Sequence, residues 1–129
     1  MNEIKLSSAA LTTLFTTIGG EAGLEKILTR FYEKMGQDVM IGFFFAGHDV
    51  RAIAAMQKSF LMRAWGVSPS YAGKSPADAH ASLPPILKGH FDRRLVLLAE
   101  TLREFKLADA QIALWVSFEE KFRAAVEHS

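Results

Sequence analysis

Apolar residues return at every third or fourth position along almost the whole chain, and nowhere do they alternate for long. The first period marks helices that bury one face and the second would mark strands, so the chain reads as all-α. Leu11, Leu14, Phe15 and Ile18 form a first stripe, which stops at Gly19-Gly20, a pair suited to ending a helix. Glu21 opens a second helix with the stripe Leu24, Ile27, Leu28, Phe31 and Met35, closed by Gly36-Gln37-Asp38. Tyr32, four residues after Leu28, falls at the edge of that face, where its hydroxyl can point into a cavity. Val39 to Phe45 is short and very apolar, with three consecutive phenylalanines. Asp49 is suited to cap a helix running to about Trp65. On that helix Ile53, Gln57 and Phe60 share a face, which sets an amide among apolar neighbours, and a buried amide needs partners. Gly66 to Gly73 reads as a loop. Helical spacing resumes over Phe91 to Leu107 (Leu95, Leu98, Leu102, Phe105) and over Ala108 to Val126 (Ile112, Trp115, Phe118, Phe122, Val126). Two good C-terminal helices are therefore expected, with shorter, broken ones before them, all within one domain spanning 1–129.

Between the two halves lies Tyr71 to Phe91, YAGKSPADAHASLPPILKGHF, which holds two of the four histidines and three of the four prolines. Helical bundles rarely spend residues this way: a short apolar turn, His80 at its end, then a Pro-Pro break. A side chain in such a segment is held by the helices around it, not within a continuous helix.

Composition narrows the function classes. The formal net charge is +1, with no basic stripe or acidic tail, so nothing electrostatic points to nucleic acid or an anionic membrane. The longest apolar run, Val39 to Gly47, is well below the ~20 residues of a membrane-spanning helix. Met1 to Leu11 lacks the features of a signal peptide, and a cytoplasmic protein is the expectation. With no cysteine there is no disulfide, no thiolate nucleophile and no Cys-ligated metal.

A helical domain can use one isolated histidine as the protein ligand of haem iron. That chemistry needs a neutral imidazole on one side, a hydrogen-bond donor facing bound dioxygen on the other, and apolar cover for the haem faces. The chain offers His80 as ligand, Tyr32 and Gln57 as donors, and Phe43, Phe44, Phe45, Ile53 and Phe60 as wall. Each also has a plainer reading. Tyr32 can be a core tyrosine with a hydrated hydroxyl, Gln57 a surface amide, the phenylalanines core, and His80 an ordinary helix-end residue.

Four stretches in order bear on the choice: IGGEAGLEKILTRFYEKM, GFFFAGHDVRAIAAMQKSFL, YAGKSPADAH and HFDRRLVLLAETL. Together they resemble the truncated haemoglobins, from about Leu14 to Phe122, as the B helix, the CD corner with the E helix, the F segment and the start of the G helix. The resemblance implies a truncated globin fold, a 2-on-2 helical sandwich of B/E and G/H pairs with a short F helix. It implies haem b (iron protoporphyrin IX) ligated by His80, since His90 belongs to the His-Phe-Asp that opens the G helix. Tyr32 matches the family's distal tyrosine and Gln57 its distal glutamine. Ile53 matches a distal gate position, Phe45 the corner phenylalanine packed on haem, and Met56 a position that in some members is basic or binds iron. Phe60 and Phe91 are expected to contact haem, and Tyr71 or Lys74 to reach a propionate.

The chain departs from the pattern at Gly66-Val67, at Pro76 and at Leu83-Pro84-Pro85, which is more like group III, whereas the N-terminal half and Ile53 are more like group I. Arg94 stands where the family usually has an apolar residue or tryptophan facing the distal cavity. The resemblance implies reversible binding of O2, NO and CO, with redox chemistry such as oxidation of nitric oxide to nitrate and an unidentified reductase or electron donor. The open alternatives are a sensor or carrier without turnover, a peroxidase-like protein with Arg94 as its feature, and a haem-free helical interaction module. A monomer or weak homodimer is expected.

Overall fold

The computed structural model describes residues 6–68 and 85–127. These form α1 (Ser8–Thr17), α2 (Gly20–Gln37), a 3₁₀ turn (Gly42–Phe45), α3 (Val50–Ala64), α4 (Lys88–Glu104), α5 (Asp109–Glu120) and α6 (Arg123–Val126), with no strand among the described residues. Helix starts follow the capping rules. The Ser7 hydroxyl accepts the Ala10 N–H at 3.1 Å, and the Asp49 carboxylate accepts those of Arg51 and Ala52 at 3.0 and 3.4 Å, as its sequence position predicts. Between α1 and α2 the chain turns through two left-handed residues, Gly19 (φ 106°) and Gly20 (φ 66°), a conformation that side chains resist. The turn is tight enough that a Cβ on Gly23 would lie 1.9 Å from the Ile18 carbonyl oxygen, so α2 begins in direct backbone contact with the end of α1.

Helix α2 is the centre of the packing. Its stripe Leu24, Ile27, Leu28, Phe31, Tyr32 and Met35 is buried, and it meets α1, α3, α4 and the 3₁₀ turn. Helices α2 and α3 make one pair and α4 and α5 the other, the expected 2-on-2 arrangement. Where α3 ends, Trp65 is fully buried, edge-on to Trp115 at 4.9 Å and to Phe118 at 5.9 Å. The Thr12 hydroxyl donates to the Trp65 carbonyl at 3.0 Å and ties α1 to that end. The expected F helix falls at residues outside the described ones.

The expectation of shorter, broken N-terminal helices does not hold. At 18 residues α2 is longer than α4 at 17 or α5 at 12. The break comes instead inside Ala108 to Val126, where Lys121 and Phe122 donate to carbonyls three residues back, those of Phe118 and Glu119. The apolar spacing runs on through Phe118, Phe122 and Val126, so periodicity does not register the break. The bend is held from outside the stripe. Arg123 pairs with Asp92 at 2.7 Å and with Glu120 and Glu127, and its guanidinium lies 4.6 Å over the Phe91 ring. Val126 thereby joins Ile86 and Phe91 in a second, smaller core.

Asp38 fixes how α2 leads into the aromatic turn. Its Oδ2 accepts the N–H groups of Met40 (3.0 Å) and Ile41 (3.2 Å), and its Oδ1 accepts Nε and Nη2 of Arg93 at 3.0 and 2.7 Å. One carboxylate thus stops α2, shapes the corner and ties both to α4. The hydrogen bond from Arg93 is the main force holding the Asp38 carboxyl below its ordinary range; burial opposes it and the two backbone N–H groups assist. A carboxyl depressed in the fold stabilises it above the unfolded value and loses that contribution as pH falls through the folded value. Asp38→Asn is therefore expected to cost about 1 kcal/mol at neutral pH, in the lower part of the range for a charged hydrogen bond because Arg93 is partly solvated. Urea denaturation at pH 7 and pH 3 should show the gap to the parent protein closing at the lower pH. Gly23→Ala should cost about 3 kcal/mol, the upper end for an overpacked site, since its methyl meets backbone and not a mobile side chain. A lowered denaturation midpoint at unchanged slope is the check.

Candidate functional site

Tyr32 is carried on the buried face of α2 and is only 6% exposed. Its ring stands edge-on to Phe45 at 5.9 Å (78°) and 5.4 Å from Phe31. The turn that supplies Phe45 also stacks Phe43 on Phe44 at 4.1 Å and leaves Phe43 half exposed. On α3, Ile53 and Gln57 are partly buried and stand one turn apart on the same side. Met56 is half exposed. The Phe60 ring meets Phe122 at 5.5 Å, just past the end of α5. Phe91 is buried in the smaller core, covered by Arg123. His80, Tyr71 and Lys74 lie outside the described residues, as do Pro76 and Leu83-Pro84.

His90 has a capping geometry. Its Nδ1 accepts the Leu87 N–H at 3.0 Å, at the start of α4, and its ring stands edge-on to Phe43 (5.7 Å) and Phe44 (5.1 Å). An imidazole that accepts at Nδ1 carries its proton on Nε2. A histidine that ligates a metal through Nε2 has the opposite tautomer, with Nδ1–H as donor. In this arrangement His90 serves the helix end. His48 is exposed at the corner.

Arg94 is where the structure adds most. Its Nη1 pairs with Glu119 Oε2 at 3.1 Å, with the two side chains 20% and 5% exposed, and its guanidinium lies 5.1 Å over the Phe31 ring. Glu119 Oε1 accepts the indole N–H of Trp115 at 3.4 Å, one turn back on α5. Burial works against the Arg94 charge, and Glu119 and Tyr32 more than offset it, so the guanidinium is held above the usual arginine value. The sequence reading had Arg94 facing the distal cavity and had no role for Glu119. The signal for Glu119 was present: it follows Trp115 by four residues, on the apolar stripe of α5, where a lone carboxylate requires a cation opposite.

Haem requires apolar and aromatic cover and, on the ligand side, donors in preference to anions. The described residues fit it. The Phe43–Phe45 turn keeps unburied ring surface beside Tyr32, whose ring Phe45 meets edge-on. The carboxylate of Glu119 is already neutralised by Arg94.

The comparisons agree with this fit. The family model described as bacterial-like globin matches residues 13–127. The group 1 truncated haemoglobin GlbN of Synechocystis is 35% identical over 106 residues, 80% of this chain and 86% of the relative. The solved truncated haemoglobin of Tetrahymena pyriformis in its Fe(III) form is 28% identical, with a TM-score of 0.81 over 90% of this chain and 98% of that one. The 2/2 haemoglobin of Synechococcus in the cyanomet state, with covalently attached heme, aligns at a TM-score of 0.77 and 27% identity, covering 88% of this chain and 96% of that one. The chain belongs to the bacterial-like globin family as a truncated haemoglobin, a haem-binding globin that takes diatomic gases such as O2.

Proposed function

We propose that haem b is held here by His80, that Tyr32 and Gln57 serve the ligand side, and that the physiological reaction is oxidation of nitric oxide by dioxygen to nitrate. Haem supplies the ferrous iron at which the gases bind and react, and one electron per turnover comes from a separate reductase. The rest falls to the chain. Ile53 offers no hydrogen bond and leaves the ligand path apolar. Phe45 excludes water beside Tyr32, and in a dry setting each hydrogen bond to a ligand counts for more than in water. Tyr32 donates its hydroxyl proton to the ligand, and Gln57 donates as well or orients the tyrosine. Tight retention of dioxygen suits consumption of nitric oxide better than delivery of oxygen. The protein acts in the cytoplasm as a monomer or weak homodimer, and Tyr71 or Lys74 meets a propionate.

The observation that carries this reading is Tyr32, buried on α2 with its ring edge-on to Phe45. The peroxidase-like alternative draws no support from Arg94, whose charge is matched by Glu119. Tyr32→Phe removes the hydroxyl and keeps the ring. A hydrogen bond of about 1 kcal/mol corresponds to roughly fivefold in a rate, so dioxygen should leave the variant at least about five times faster in stopped-flow measurements. An unchanged rate would sink the distal-donor assignment. Stoichiometric nitrate from nitric oxide and the dioxygen-loaded protein should accompany it; release of both gases unreacted would favour a carrier or sensor.

A further inference from the structure

Helix α6 is too short to stand by itself: its four residues, Arg123–Val126, are far fewer than an isolated helix in water needs. Packing and ion pairs must hold it, and both converge on the entrance to α4. On the apolar side Val126 is buried with Ile86 and Phe91, and Phe44 and Leu95 pack against these three. On the polar side Arg123 donates Nη2 to Asp92 at 2.7 Å, Nη1 to Glu127 at 2.9 Å and Nε to Glu120 at 2.6 Å. Glu120 and Glu127 flank the bend itself, so Asp92 is the carboxylate that joins it to α4. Lys88 steadies Asp92 in turn, donating Nζ to the other carboxylate oxygen at 2.8 Å. The smaller core also reaches the candidate site. Among the described residues Phe44 alone packs against both cores. Its ring stands edge-on to His90, which caps α4, and the next residue, Phe45, meets Tyr32.

We propose that α6 is a strap, closed by the Arg123–Asp92 bond, that fixes Phe91 and Phe44 in place and thereby sets how long the haem is retained. This rests on the haem-site reading above, with Phe44 and Phe91 among the residues that cover the haem. Cover of that kind is a sum of many weak contacts, so it depends on aromatic side chains that do not drift. With the strap open, Phe91 loses Val126 and the guanidinium that lies 4.6 Å over its ring, and apolar area returns to water. Phe44 then loses its anchor on the side of the smaller core, and the turn that carries Phe45 loosens with it. Local opening costs less than global unfolding, so the strap governs haem loss without a matching change in overall stability.

The test uses the haem-loaded protein with Arg123→Met, which keeps an apolar stem beside Phe91, with Asp92→Ala, and with both. Thr12→Val is the control, since it removes the hydrogen bond that ties α1 to the end of α3 and leaves the strap alone. Three quantities are read: the rate of haem transfer to excess apomyoglobin, the urea midpoint, and hydrogen exchange at the Ala125, Val126 and Glu127 amides of the haem-free protein. Arg123→Met should speed haem loss about fivefold, the scale of one charged hydrogen bond at a partly solvated site. The double variant should lose haem no faster than Asp92→Ala alone, since both substitutions open the same tie. The three amides should exchange faster in every strap variant. Thr12→Val should lower the urea midpoint and leave haem loss near the parent rate. Additive effects on haem loss overturn the proposal, as do strap variants that lose haem no faster than Thr12→Val, or unchanged exchange in α6. Phe91→Leu tests the underlying reading: haem loss at the parent rate in that variant removes Phe91 from the haem site, and the proposal with it. If Arg123→Met does not fold, Arg123→Gln supplies the same comparison.

Discussion

A charge taken out of water has to be matched, and in this globin that requirement falls on Arg94. The match ties three helices together. Helix α4 supplies the guanidinium, α5 the Glu119 carboxylate and α2 the Phe31 face. The positions of these helices are in turn set by the apolar packing around Phe31, Leu98, Trp115 and Phe118, all at most 2% exposed. The polar chain adds little to that burial in net energy, because a buried ion pair returns much of its attraction as desolvation. What it adds is discrimination. A rotation of α5 that moved Glu119 off Arg94 would leave two unmatched charges inside, so alternative registers of the α4/α5 pair are disfavoured far more than an all-apolar contact would disfavour them.

The other end of the site is governed by the corner after α2. Asp38 takes two backbone N–H groups and two Arg93 donors, and Gly42 follows where a Cβ would come within 2.8 Å of the Gly36 carbonyl oxygen. The Phe43–Phe45 turn is therefore folded back against the end of α2, and this delivers Phe45 edge-on to Tyr32. Exposed ion pairs, such as Lys58 with Glu21 and Glu25 and Arg30 and Lys34 with Glu104, stitch α2 to α3 and α4. Each contributes little to stability, although together they agree with the register that the core selects.

Much of this was legible in the sequence. Helices α1 to α3 and their stops are written in the apolar stripes, in Gly19-Gly20 and in the Asp49 cap, because those signals are local and backbone chemistry enforces them. Tyr32, read from its place four residues after Leu28 as lying at the edge of the α2 face, is buried within that face. The bend at Lys121 and Phe122 was not legible, since it depends on Arg123 reaching Asp92, 31 residues earlier, while the apolar spacing continues unbroken. The partnership of Arg94 with Glu119 was also hidden, because it joins two helices and neither helix alone shows which way its charged residue turns. Its halves could be read separately, a cation and a carboxylate each on an apolar stripe, but joining them requires the fold. The same limit applies to His80, whose role as ligand rests on the family resemblance and not on local spacing.

Haem ligation by His80 is the claim on which the functional account stands, and it has a direct test. The purified protein is titrated with haem and its absorption spectrum recorded, oxidised and reduced, beside His80→Ala and His90→Ala. The account predicts a sharp Soret band at one haem per chain, retained in His90→Ala, where only a helix cap is lost, and abolished in His80→Ala. A band that survives His80→Ala, or that disappears in His90→Ala instead, would contradict it.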